Sequence, residues 1–288
     1  MKLPQQDFTY RQYMEASDFE LFYYQDNKPP EVDFHNHDFY EIYLFLSGTV
    51  TFVIEGKSYR MKPRDILIIN NKELHKALVE KGIPYERIVI WLNPDYVKSL
   101  NTEKTNLLGV FDSSLLNRYN LLRLNSEAME YIYTIIDKLG LAYKSSTFGS
   151  DILRDSYIKE LLVYINWVYQ ISSGSNLELD ITYNEKVTKI IHYINQNLSE
   201  DLSLETISAK FYLSKYHLLR EFKKNTGYTI HRYITQKRLI MAKELLKDSR
   251  QVSEVCSKCG FGDYSNFIRA FRKEFGISPK KYFKGANL

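Results

Sequence analysis

The feature that most limits how this chain can fold is an internal repeat near its C-terminal end. Sliding the segment against itself aligns Leu204 and Ile207 with Val252 and Val255 at an offset of 48 residues. Leu218, Phe222 and Gly227 then align with Phe267, Phe271 and Gly276 at an offset of 49, so the second copy carries one extra residue in its turn. Each copy reads as helix, short turn, helix. In the first, Ser203 is placed to cap a helix through Lys210, and Ser214 to cap one that ends at Gly227. In the second, Ser253 and Glu254 lie near one helix start, and Asp263 caps a helix that ends at Gly276. The later helix of each pair buries Leu218 with Phe222, or Phe267 with Phe271 and Phe275, at i, i+4 spacing. Between the copies, Ile230, Tyr233, Ile234, Leu239, Ala242, Leu245 and Leu246 predict one amphipathic helix of about 20 residues, about 30 Å long.

The opposite face of each later helix is the informative one. It carries Tyr216, Leu219, Arg220 and Lys223 in the first copy and Ser265, Ile268, Arg269 and Arg272 in the second. Such a face suits the major groove of double-stranded DNA, where Arg reads guanine bidentately, Asn reads adenine and apolar groups touch the thymine methyl. Arg220, Arg269 and Asn266 are therefore candidate base readers. Lys223, Lys224, Arg272, Lys273 and Lys280 sit where phosphate contacts would set position and salt dependence. The connecting helix is close to one turn of DNA, about 34 Å, so two such helices could enter successive grooves. Charge agrees: from Tyr183 onward 20 Lys and Arg face 10 Asp and Glu, whereas the preceding residues carry 19 against 25. Neither the start of the chain nor any later stretch approaches the roughly 18 uninterrupted apolar residues of a membrane span, so a cytoplasmic protein without a membrane partner is expected.

At these residues, Leu204 to Phe283 with Gly260-Phe261, Phe267, Arg269, Phe271, Gly276, Ser278-Pro279 and Tyr282, the chain resembles the AraC/XylS family of bacterial transcriptional regulators. The resemblance implies a non-enzymatic, sequence-specific activator or repressor with Tyr216, Arg220, Tyr264, Ser265, Asn266 and Arg269 on the DNA. The full candidate set is Ser214, Lys215, Tyr216, Leu219, Arg220, Lys223 and Lys224 in the first copy and Tyr264, Ser265, Asn266, Arg269, Arg272 and Lys273 in the second. Leu219 departs from the family habit of a polar reader there. A homodimer and contact with RNA polymerase are further implications. The two cysteines, Cys256 and Cys259, have a C-x-x-C spacing compatible with a redox pair or half a zinc site. The resemblance places them at small or apolar core positions, which favours a structural role.

Earlier in the chain, Glu41 to Phe45, Val50 to Ile54, Ile66 to Ile69 and Arg87 to Leu92 are short apolar runs separated by turn residues such as Glu55-Gly56-Lys57 and Lys62-Pro63-Arg64-Asp65. They predict a small all-β barrel or jelly roll. Two amphipathic helices follow, one on Met129, Ile132, Tyr133, Ile136 and Leu139, the other on Ile152, Ile158, Leu161, Leu162, Ile165 and Val168. The expected whole is an α+β protein of two domains: a barrel with two helices for effector binding and dimerisation over residues 1–171, a linker over 172–183 beginning in Ser172 to Asn176, and an all-α double helix-turn-helix domain over 184–288.

Within the barrel, His35, His37 and Glu41 differ by even numbers and would share one face of a regular strand. With Gly48 they resemble the first cupin motif, and His75 lies where a second motif would add another His. Arg64 stands where that pattern prefers glycine. Three readings stay open: ordinary polar lining, hydrogen bonding to a small-molecule effector such as a sugar together with Tyr43 and Arg64, or a divalent metal on His35, His37, Glu41 and His75. No cofactor is favoured. The alternative to a ligand-responsive regulator is a cupin metalloenzyme or metal sensor fused to a DNA-binding module.

Overall fold

The computed structural model describes residues 5, 6, 8, 11–112, 119–171, 180–248 and 251–285. Their contacts divide into two compact units, Met1–Thr182 and Tyr183–Leu288. Ser172 to Asn176, read as the start of a linker, lies outside the described residues.

Among the described residues of the first unit, nine strands form two antiparallel sheets: β1 (Phe19–Asp26), β2 (Tyr40–Ser47), β3 (Val50–Ile54), β4 (Lys57–Arg60), β5 (Ile66–Ile69), β6 (His75–Val79), β7 (Tyr85–Leu92), β8 (Leu121–Leu122) and β9 (Ile181–Thr182). One sheet has the order β1-β7-β2-β5-β8 and the other β6-β3-β4-β9. The two-residue alternation of a strand decides what each face meets. Tyr43, Phe45, Leu67, Ile69, Val89 and Trp91 point inward and cluster with Phe52, Ile54 and Tyr59 of the second sheet. Their neighbours Ile42, Leu44, Ile66, Ile68, Ile88 and Ile90 point outward and cluster with α2 (Ser126–Lys144) and α3 (Ser150–Ile171), which follow the short α1 (Pro94–Ser99). The five-stranded sheet is thus buried on both faces, which is why its strands read as continuous apolar runs. Glu55 and Gly56, both at positive φ, close the β3–β4 hairpin in the twisted turn that strands favour.

Met129, Ile132, Ile136 and Leu139 of α2 are buried as the periodicity predicts, and so are Ile158 to Val168 of the α3 stripe. Ile152 is not: it lies in the first turn of α3 and is 66% exposed. Arg123 donates to both oxygens of the buried Asp65 at 2.7 Å and to Asp180 at 2.6 Å. Lys62 holds the same Asp180 carboxylate, which lies below the usual carboxylate range because of these two partners. These bonds fasten β9 to the barrel.

The second unit contains α4 (Glu185–Gln196), α5 (Leu204–Lys210), α6 (Lys215–Thr226), α7 (Ile230–Asp248), α8 (Val252–Lys258), α9 (Tyr264–Phe275) and α10 (Pro279–Gly285). Each repeat is a helix pair, and α7 packs against helices of both. At 19 residues it runs about 28 Å. Ser203 and Ser214 cap α5 and α6 as read from sequence; Ser253 does not cap α8, because Gln251 occupies that position without a side-chain bond. Arg238 of α7 donates to the carbonyls of Leu198 and Glu200 at 2.9 and 2.8 Å, and Gly260 fits against the same place. A Cβ on Gly260 would lie 2.4 Å from the Leu198 carbonyl oxygen. Cys256 and Cys259 sit in the core beside Val255, Phe267 and Phe271. Burial pushes both thiols up, Cys259 to about 12, which does not suit a thiolate nucleophile.

Candidate DNA interface and effector cavity

The two later helices of the repeats are built alike. Ser214 accepts from the His217 amide and Asp263 from the Asn266 amide, fixing the first turn of α6 and α9. Gly227 and Gly276, each at φ 75°, end them in the left-handed conformation that glycine adopts without strain. Leu218 and Phe222, and Phe267 and Phe271, face inward with 1% exposure or less. That fixes which residues face solvent. Ser214, Lys215, Tyr216, Leu219, Arg220, Lys223 and Lys224 are all exposed, and so are Tyr264, Ser265, Asn266, Arg269, Arg272 and Lys273. Lys223, Lys224, Arg272 and Lys273 lie in the last turns, where cations also suit the helix dipole.

Local pairing differs between them. Arg220 lies 3.2 Å from the Glu221 carboxylate, within 3.4 Å of His217 Nδ1 and over the Tyr216 ring. Arg269 instead donates to the side-chain oxygen of Asn266. Lys215 pairs with Glu205 of α5.

In the barrel the two sheets enclose a cavity of about 110 Å³, several times what one water needs. Its wall is largely aromatic, including Tyr24, Phe39, Phe52, Tyr85 and Trp91, with polar groups at set points. His37, Glu41, Tyr43, His75 and the partly exposed His35 all line it, as the sequence set implied. Arg64 does not. It sits at φ 78° in the β4–β5 turn with its guanidinium over the Tyr133 ring and 3.6 Å from Glu130, so it braces α2.

The route by which the histidines meet also differs from the expected strand alternation. Only Glu41 is on β2; His35 forms an isolated antiparallel bridge with His75, and His37 turns back to place Nε2 3.1 Å from Glu41. The ring centroids of His35 and His75 are 4.3 Å apart and those of His37 and His75 4.9 Å. Burial lowers the His75 pKa well below its ordinary value, and His35 and His37 lower it further; His35 is lowered by burial and by His37. Tyr43 and Tyr85 share a hydroxyl hydrogen bond, and burial pushes Tyr85 up to about 12, so both stay protonated.

Three lining groups escaped sequence reading. Arg87, 3% exposed, pairs with Asp26 and lies against the rings of Tyr24 and Tyr85. Arg11 pairs with Glu20 and lies over Trp91. Trp91 Nε1 is buried without a hydrogen-bond partner among the described residues. The alternation of Arg87, Val89 and Trp91 along β7 was the available signal. No helix among the described residues is long and apolar enough to cross a membrane.

A barrel with a lined cavity and two helix-turn-helix units, in one chain, define an effector-responsive DNA-binding regulator. An AraC-like ligand-binding domain model matches residues 21–162 and a helix-turn-helix domain model residues 207–285. The chain belongs to the AraC family of transcriptional regulators. It is 26% identical to the HTH-type transcriptional activator RhaS of Salmonella schwarzengrund over 253 residues, 87% of each chain, and 25% identical to RhaS of an Enterobacter species over the same length. Among solved structures it is similar to unsaturated fatty acid bound ToxT from Vibrio cholerae, with 15% identity, 93% and 95% coverage of the two chains and a TM-score of 0.39. The AdpA DNA-binding domain in complex with a target DNA gives 28% identity, 34% and 88% coverage and a TM-score of 0.33. The relatives are regulators of transcription and not enzymes.

Proposed function

We propose that a small polar organic effector such as a sugar binds in the barrel cavity and changes the affinity of α6 and α9 for successive major grooves of one operator. The observation that carries this reading is the pair of identically capped helices exposing Arg220 and Arg269 from one scaffold. Arg220, Arg269 and Asn266 read bases, Tyr216, Leu219, Tyr264 and Ser265 add groove contacts, and Ser214, Lys215, Lys223, Lys224, Arg272 and Lys273 meet the backbone. Aromatic faces would stack on the C–H faces of a sugar, while Glu41, the histidines and Tyr43 would bond its hydroxyls. Coupling requires only that the effector prefer one DNA-binding state over the other.

The relatives' names as activators support action by recruiting or contacting RNA polymerase. Exposed apolar residues on α2 and α3, among them Leu141 at 65%, Val163 at 50% and Trp167 at 56%, support a homodimer built on these helices. The division into units supports a barrel domain that runs through β9 to Thr182, beyond the 171 expected from sequence, and a DNA-binding domain from Tyr183. Mapping bound sites across the genome, then measuring operator affinity by fluorescence anisotropy with and without a sugar library, tests the reading. Binding of one sequence far above random DNA, shifted by a compound of the library, is expected; equal affinity for all sequences sinks it.

A further inference from the structure

One end of the cavity carries chemistry that hydroxyl recognition alone does not require. Nδ1 of His35 lies 3.0 Å from the Asp33 carbonyl oxygen, Nδ1 of His37 2.8 Å from that of Phe39 and Nδ1 of His75 3.0 Å from that of Glu73. A carbonyl oxygen only accepts, so each Nδ1 carries a proton and Nε2 is the ring atom left to take a second proton or a metal ion. Yet Nε2 of His37 stands 3.1 Å from Oε2 of Glu41. Two lone-pair atoms at that separation repel unless a cation joins them, either a second proton on the imidazole or a metal ion. A proton serves His37 and Glu41 alone. A metal ion serves His75 as well, since donor atoms of His37, Glu41 and His75 all lie within 4.8 Å of one another.

We propose that His37, Glu41 and His75 hold a divalent first-row transition-metal ion through two Nε2 atoms and a carboxylate oxygen. This inference rests on the cavity being the effector site and names part of what occupies it. Donors 2.0–2.2 Å from a common ion stand about 3–4 Å apart, so the widest separation closes by about 1 Å as the rings swing. The Nδ1 contacts to backbone carbonyls are the outer bonds that orient metal-binding imidazoles and fix their tautomer. Imidazole with one carboxylate selects Zn²⁺, Ni²⁺, Co²⁺ or Fe²⁺ over Mg²⁺ and Ca²⁺, which take oxygen ligands. The ion would form the polar floor of a cavity lined elsewhere by aromatic and aliphatic side chains together with Arg11 and Arg87.

The test uses the full chain without a polyhistidine tag, stripped by chelator, dialysed and titrated with Co²⁺. Bound metal is read by elemental analysis and visible absorption. One equivalent is expected, with a rise in melting temperature. Glu41→Gln should bind at least about tenfold more weakly, and His37→Gln should lose the site. Glu41→Gln keeps the side-chain shape, so its unliganded melt controls for misfolding. Absence of saturable uptake at one equivalent, or unchanged uptake in both variants, overturns the inference and leaves His37–Glu41 as a protonated pair. The effector reading fails separately, if no sugar shifts the melt of either stripped or metal-loaded protein.

Discussion

Helices α6 and α9 share length, side-chain N-cap, glycine C-cap and a buried i, i+4 pair, yet they present different chemistry outward. On α6 the exposed centre is Leu219, and Arg220 is engaged by Glu221 and His217. On α9 the exposed centre is polar: Arg269 and Asn266 are bonded to each other, and the Asn266 amide is held by Asp263. The backbone devices that place a helix are therefore separable from the side chains that read with it.

The comparison is tested first where the copies should agree. Phe222→Ala and Phe271→Ala each remove a fully buried ring and are expected to cost about 3–5 kcal/mol in chemical denaturation; a much smaller loss in one copy would break the structural equivalence. Gly260→Ala combines positive φ with backbone contact at 2.4 Å and should cost about 2 kcal/mol or more by the same measurement. The copies should then diverge. Arg269→Ala is expected to weaken binding to the mapped operator by about 1–3 kcal/mol with non-specific binding nearly unchanged, whereas Arg220→Ala should show a smaller operator-specific loss. Equal losses on every sequence would remove Arg269 from base reading. Ser214→Ala and Asp263→Ala should each cost about 1 kcal/mol of stability, again alike. The smallest effect is expected for Lys224→Ala, which should lower affinity on every sequence and reduce the slope of log affinity against log salt by about 1.

Much of the C-terminal half was legible because its signals are local. Caps, the C-terminal glycines and the 3.6-residue stripe act within a few residues, and Ser203, Ser214, Asp263, Gly227 and Gly276 all perform as read. The barrel was legible only where strands are buried on both faces. β4 (Lys-Ser-Tyr-Arg) and β6 (His-Lys-Ala-Leu-Val) carry polar or half-exposed positions and give no apolar run. β1, with Phe19, Leu21 and Tyr24 buried, owes its place to pairing with β7 more than sixty residues away, a partner that no local pattern shows. In the cavity, His37 and Glu41 were singled out by spacing and His75 by the resemblance to a cupin motif, but they meet through a bridge and a reversal of the chain rather than along one strand. Arg64 was misplaced because its positive φ turns the side chain toward α2. Arg87 and Arg11 were missed since an isolated arginine in an apolar run reads as surface until its aromatic surroundings are known.

The double burial of the five-stranded sheet limits how the barrel can respond when its cavity fills. A one-residue slip of β2 or β7 would exchange Tyr43 and Trp91 for Ile42 and Ile90 on the interior wall and drive rings into the aliphatic layer under α2 and α3. Sliding is thereby closed to these strands. Each inward aromatic is thereby tied to its outward aliphatic neighbour, so that displacing one displaces the other.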